Sequence, residues 1–470
     1  MPSSTHTPGK GLRPPVNILS MTTLRELLRL SLPMVVSQGA FAVMVFTDRW
    51  FMSQIDATHI AAALGGGVAS FFCISLFMGV ITYANALVAQ YYGAGEFAKC
   101  PRVVTQGVLM AVACIPLLVL AAYFGALAFP HLGHDPVQVP LERIYFLILM
   151  SGSFFTLVKA CLACYFAGLG RTRVVMIADV LGVILNIPLS WMLIFGKFGL
   201  PQLGIAGAAV GTVIASLFAI VLYLCFYLSQ GHQRQFHVSH SFQFDRGIMR
   251  RYLRLGAPSG LEAFMNTATF NLFLLMFQSY GVVQGAAMAI VFNWDMLSFI
   301  PMIGLNIGVM SLIGRFVGAR DMARTNQVIS SGFILALGYS GVLALLFLVF
   351  RVSLVDVFET PGQDFTGIRE LASDMMIGLT TYMLADAALL IAGGALRGAG
   401  DTRWIMVAST TVHWLMLIVQ YFVIVVFGYG PRVSWWIFVS MLITLALLYL
   451  WRLLGGAWRH PERLARVMVE

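Results

Sequence analysis

Asp48 stands in the stretch VFTDRWFM, inside a run from about Leu27 to Ile55 that is otherwise apolar. Four more acids lie deep in such runs: Asp179, Glu262, Asp295 and Asp386. An ionisable group at the centre of a membrane helix costs about 2.5–3.5 kcal/mol on insertion scales, so it normally faces a cavity and has a use. Out of water a carboxylate is disfavoured unless something neutralises it. Such an acid therefore carries a proton, pairs with a base or holds a cation. Exchanging one of these for another under a gradient is the chemistry of ion-coupled transport.

Other polar residues can take part. Asn186 and Ser190 flank Pro188 and are four residues apart, hence on one helix face. Proline leaves a backbone carbonyl free to coordinate an ion or water; the competing reading is a packing kink. Arg49 and Lys159 are the bases within apolar runs. Neighbours on a helix do not face each other, so Arg49 either reaches outward beside Trp50 or turns inward and holds a nearby carboxylate ionised. Lys159 is expected to pair with an acid that the sequence does not identify. Asp179 lies two turns before Asn186 on the same face, where a structural role is expected. His413 offers either a proton relay or a packing hydrogen bond. Cys161 and Cys164 form a CxxC pair with no second pair or histidine cluster, which reads as small buried residues rather than a metal or redox site.

The elements that must position these groups are membrane helices. Of the 470 residues, 59% are hydrophobic and only 10% charged, with mean hydropathy +0.85. A soluble domain carries roughly 25% charged residues. The apolar runs are continuous, which favours helices over a barrel. Twelve runs are long enough to cross a membrane: about 25–53, 59–92, 101–128, 140–168, 172–197, 203–230, 251–279, 284–317, 323–352, 367–396, 402–428 and 432–457. The fold class is therefore all-α and polytopic, with both termini on one side. Of the 29 Lys and Arg residues, only Arg143, Lys197, Arg351, Arg369 and Arg432 fall on the opposite side, and the positive-inside rule makes the termini cytoplasmic. The basic net charge of +9 thus encodes orientation and implies no nucleic-acid partner. The first 20 residues are polar and proline-rich and read as a short disordered tail, not a cleaved signal.

The chain also repeats. LRLSLP (28–33) returns as LRLGAP (253–258), GAGEFAKCPRVVTQG (93–107) as GARDMARTNQVISSG (318–332), and GLGRTRVVM (168–176) as GAGDTRWIM (398–406). Three matches in order, at nearly constant spacing, divide the chain into a cytoplasmic tail 1–24, a six-helix half 25–230, a linker 231–250, a second half 251–457 and a cytoplasmic tail 458–470. Two parallel repeats around a cleft are the architecture of alternating access. No GxxxxGK[ST] stretch occurs, so an ion gradient rather than ATP is the expected drive, and no cofactor or enzymatic activity is expected.

LNIPLSWMLIFGKFGLPQLGIAGAAVGT (185–212), DAALLIAGGALRGAGDTR (386–403), and SLP followed by Asp48 resemble the multidrug and toxic compound extrusion (MATE) family, in its bacterial NorM-like branch. The resemblance runs from about 25 to 455. It implies a V-shaped pair of six-helix bundles in a bacterial inner membrane, acting as a monomer and exporting amphipathic organic cations against H⁺ or, second, Na⁺. It implies a cation-coupling site in the first half at Asp48, with Asn186 and Ser190. For the second half it implies Asp386, with Asp295 in the corresponding cavity region and Glu262 and Asn266 on the span-seven face. Asn266 stands where relatives carry a glutamate. Either the acid has moved one turn to Glu262, or the site is lost. If Glu262, Asp295 and Asp386 gather, they form an acidic pocket able to hold Na⁺. Phe41, Phe46, Phe292, Asn293 and Trp294 are candidate residues of the substrate cavity. A dedicated metabolite exporter, or a flippase for a lipid-linked substrate, is the alternative within the same superfamily fold; acids inside the spans, with few bases, argue against the flippase.

Overall fold

A computed structural model describes residues 20–131, 135–359 and 364–469. Nearly all of them are helical, and none of the described residues is in a strand. Among the described residues ten helices are long and apolar enough to cross a membrane. In chain order they include α1 (Met21–Ser53), α2 (Thr58–Gly93) and α3 (Lys99–His131). The pair Gln138–Ser151 and Ser153–Gly168, bent by 48°, forms α4 as one broken span. Then come α5 (Thr172–Phe195) and α6 (Ile205–Tyr227). Next is α7 (Arg246–Gln278), as long as its neighbours but more polar, because four arginines sit in its first turns and Glu262 near its middle. The series ends with α8 (Val282–Gly318), α9 (Met322–Val349), α10 (Thr366–Gly398), α11 (Thr402–Val426) and α12 (Pro431–Leu454). Each of the twelve expected runs is thus helical, and ten of them, or eleven with the bent pair as one span, are apolar enough to cross a membrane.

The contacts repeat as the sequence does. In the first half α1 packs on α5, α5 on α6, and α4 on α2, α3 and α6. In the second, α7 packs on α11, α11 on α12, and α10 on α8, α9 and α12. The halves meet by exchange: α1 lies against α8, and α2 against α7. Small residues allow the approach. A Cβ on Gly304 would fall 2.7 Å from the Val35 nitrogen, and one on Gly79 would fall 2.7 Å from the Gly260 Cα.

These close contacts occupy the end of the bundle that carries both termini, called here the terminus side. Arg315 of α8 reaches the Leu169 carbonyl at 2.9 Å and stacks on Tyr92. Gln90 of α2 donates to the Gly398 carbonyl at 2.7 Å. Ser311 donates to the Ala167 carbonyl at 2.8 Å. Buried Arg251 donates to Gln90 at 2.6 Å and to the Val467 carbonyl at 2.8 Å.

The expected N-terminal tail lies outside the described residues up to 19, and helix begins at Met21. The expected C-terminal tail holds a short helix, Pro461–Met468, drawn in by Arg251 and by Arg463, which binds Asp401. The linker carries a further helix, Gln230–Phe236.

Candidate functional site

Toward the opposite end α1 and α2 part from α8 and α7. Between them lies a cavity of about 1070 Å³, walled by both halves. It runs from Gln38 and Met78 to Met52 and Ala63 near the ends of their helices, and Phe72 and Phe264 stack at 4.9 Å across the halves. Most of its wall is apolar, with Phe41, Met44, Val45, Phe71 and Phe270 among the residues.

Asp48 is in that wall and buried. Thr212 of α6 donates weakly to its Oδ2 at 3.4 Å. Its Oδ1 has no partner. Neither has the Oγ of Ser190, which lies beside it, nor either side-chain atom of fully buried Asn186 one turn away. Unmet buried polar atoms cost about 1–3 kcal/mol each. Four such atoms are found on Asp48, Ser190 and Asn186. Pro188 on α5 lies between Asn186 and Ser190, as the sequence reading required.

The other acid of this half is already satisfied. Asp179 accepts from Tyr223 of α6 at 3.1 Å, takes a short hydrogen bond from Ser37 of α1, and pairs with Lys159 of α4 at 3.2 Å. One carboxylate therefore ties four helices. Lys159 and Asp179 both line the cavity, as does Arg49 near its mouth. The partner of Lys159, open in the sequence, is Asp179.

The second half does not form the acidic pocket set out above. Glu262 is bound by Arg397 of α10 at 2.7 Å and by Tyr449 of α12 at 3.4 Å. It stays out of the cavity wall. A guanidinium at this distance neutralises the carboxylate, which leaves it no charge to offer a cation. Asp295 and Asp386 lie near each other around Tyr382, apart from Glu262 and outside the cavity wall. No group of three acids, histidines or cysteines among the described residues is arranged to hold a metal ion, so the expected Na⁺ set of Glu262, Asp295 and Asp386 is not assembled. Asn266 does line the cavity, donating to Ser409 at 2.8 Å and leaving its Oδ1 free. His413 lines the cavity beside it, with Nδ1 2.8 Å from the Ser409 carbonyl.

Of the candidate aromatics, Phe41 lines the cavity and the others do not. Phe46 is 70% exposed on the outer face of α1. Phe292 packs into a ring cluster with Phe270, Trp435 and Phe438. Trp294 donates to the Leu354 carbonyl at 3.1 Å and packs on Phe347. Asn293 bonds its own helix at the Ala289 carbonyl. All three sit on α8 above the level where it meets α1. The cysteines are free thiols, with Cys161 buried against the Val104 carbonyl. Two polar residues of these sites escaped the sequence reading. Thr212 closes the GIAGAAVGT stretch, and Tyr382 precedes Asp386 by one turn on the same face.

A family model described as MatE matches residues 33–192 and again 258–422, once on each half. The multidrug resistance protein MdtK of Yersinia pseudotuberculosis is 26% identical over 438 residues, covering 91% of this chain and 94% of that one. The multidrug resistance protein NorM of Photobacterium profundum is 25% identical over 396 residues, covering 83% and 85%. Among solved structures, an outward-facing multidrug resistance MATE family transporter of the MOP superfamily superposes with TM-score 0.82 at 17% identity, over 98% of this chain and 100% of that one. The eukaryotic MATE transporter AtDTX14 gives 0.84 at 16%, over 95% and 99%.

Proposed function

The chain belongs to the MatE family, a membrane transporter and not an enzyme, and from that premise we propose that it exports amphipathic organic cations in exchange for an inward-moving cation. The observation that carries this reading is Asp48, set in the wall of the large apolar cavity with no basic partner and an Oδ1 that makes no well-aligned hydrogen bond. Apolar walls take the body of the substrate. The carboxylate takes its charge. A coupling ion competes for the same oxygen, which makes the two occupancies exclusive. The moving units are residues 25–230 and 251–457. The state described has the terminus-side seam closed and the cavity on the other side, so it is the one that releases substrate and accepts the ion. The ion's arrival discharges the substrate, the seam opens, and the ion leaves at the terminus side.

The coupling ion is H⁺. Asn266 is neutral, Glu262 is neutralised by Arg397, and Asp295 and Asp386 stand outside the cavity wall, so the carboxylate in that wall without a basic partner is Asp48 of the first half. The basic residues of the terminus side support a cytoplasmic position for it, with the chain in a bacterial inner membrane. The test is ethidium efflux from proteoliposomes under an imposed pH or Na⁺ gradient. Efflux driven by pH and lost in Asp48→Asn is the expected result. Efflux driven by Na⁺ alone and lost in Asp386→Asn would move coupling to the second half. Absence of gradient-driven efflux for every cation tried would turn the reading toward a dedicated metabolite.

A further inference from the structure

The cavity is not purely acidic. Lys159 shares its wall with Asp48, deep on the side of the closed seam, and its side chain is 28% exposed. Its ammonium has three donors. One faces Asp179 at 3.2 Å. Asp179 does not depend on that contact alone, because Tyr223 and Ser37 also donate to it. Lys159 can therefore turn a donor, or its whole charge, to a ligand without stranding its partner. Arg49 is a poorer anchor, since it is exposed at the mouth, where water screens it.

We infer that Lys159 is the anchor for an anionic group, and that the cavity takes elongated zwitterions: a cationic end at Asp48, an apolar body, and a carboxylate end at Lys159. The spacing follows from α1. Ser37, bonded to Asp179, and Asp48 are eleven residues apart on that helix, which is about 16 Å of rise. The two poles of the ligand are separated by a distance of that order. Phe41, Met44 and Val45 lie along the same stretch of wall and cover the body between them. This inference rests on the export reading for the cationic pole and adds to it a second pole with its own residue.

The probe pair is 11-(trimethylammonio)undecanoate, a zwitterion of about the required length, and its methyl ester, a plain cation. Calorimetric titration of the whole protein in detergent gives the affinity of each. The expected result is a zwitterion bound about tenfold more tightly than its ester, with the ratio falling to near one in Lys159→Gln. The double variant Lys159→Gln/Asp179→Asn, which leaves no unpaired charge behind, should show the same collapse of the ratio and guards against a folding defect in the single one. A ratio near one in the unmodified protein, or a ratio that survives both variants, overturns the anchor. The ester reports separately on the export reading. If it binds and is weakened by Asp48→Asn, the cationic pole stands whatever the ratio; if it binds with no dependence on Asp48, that reading fails while the ratio still tests Lys159.

Discussion

The two halves hold the same polar cluster in two different forms. In the first, Asp179 of α5 is bonded by Ser37 of α1 and Tyr223 of α6 and paired with Lys159 of α4. In the second, Glu262 of α7 is bonded by Tyr449 of α12 and paired with Arg397 of α10, with Ser409 of α11 nearby. Ser37 and Glu262 stand at the same place after Pro33 and Pro258. Asp179 and Ser409 stand at the same place on α5 and α11. The acid and the serine have thus changed places between paired helices while the tyrosine kept its own. The first cluster opens on the cavity and the second is sealed from it. A duplicated scaffold conserves where polarity must be satisfied more strictly than which helix supplies the charge.

The largest expected effect separates a sealed cluster from an open one. Arg397→Met leaves Glu262 buried and unpaired and should cost about 3–5 kcal/mol in thermal unfolding. Lys159→Gln, with Asp179 still held by two hydroxyls, should cost about 1 kcal/mol. Equal losses would break the comparison.

The seam between halves is unequal in the same way. Val35 of α1 faces Gly304, whereas its counterpart on α7 is Gly260, facing Gly79. Gly260→Val would restore the valine-against-glycine form, but a Cβ there falls 2.5 Å from the Leu76 carbonyl and Val80. We expect a loss of about 1–3 kcal/mol, together with faster labelling of Cys100 as the terminus side loosens; an unchanged melting point and labelling rate would refute tight packing there.

Next in size is transport itself. Asp48→Asn should lower gradient-driven ethidium efflux at least about tenfold, or 1.4 kcal/mol in the barrier, with the melting point held. A comparable loss of efflux in Glu262→Gln at unchanged stability would show that the sealed cluster also couples.

The smallest effect at neutral pH concerns the linker, which docks on the first half. His232 packs among Tyr165, Phe166, Tyr227 and Phe236 and bonds Tyr165 at 2.8 Å. Burial, with Arg171 beside it, holds its pKa down at about 4 against an ordinary 6.5. A histidine kept neutral contributes fully above pH 6.5, and the contribution is lost as pH falls from 6.5 toward 4, where the unfolded chain binds the proton and the folded one does not. Proteolysis of the linker should rise across that window and lose its pH dependence in His232→Phe.

The sequence carried the architecture because membrane helices declare themselves by length and apolarity, and the repeats declared the division into halves. Asp48, Asn186 and Ser190 were legible for the same reason: polar types in apolar runs, the last two flanking Pro188. The pairing of charges was not. Glu262 and Arg397 are 135 residues apart, and their contact depends on how α7 and α10 rotate about their axes, which hydropathy does not record. Lys159 and Asp179 were both noticed, but their partnership required α4 and α5 to be placed side by side. Phe292 and Trp294 failed as cavity residues because an aromatic in a span faces a cavity, a neighbour or lipid with the same sequence signature.

The exchange of α1 and α2 with α8 and α7 bears on biogenesis. As the chain is synthesised, the first half enters the membrane before its partners exist. Ser31, Val35 and Gly79 then face lipid, with no helix to fill the faces they present. The first half is therefore a waiting intermediate, completed when α7 and α8 arrive, and two separately expressed halves should be stable in the membrane only when made together.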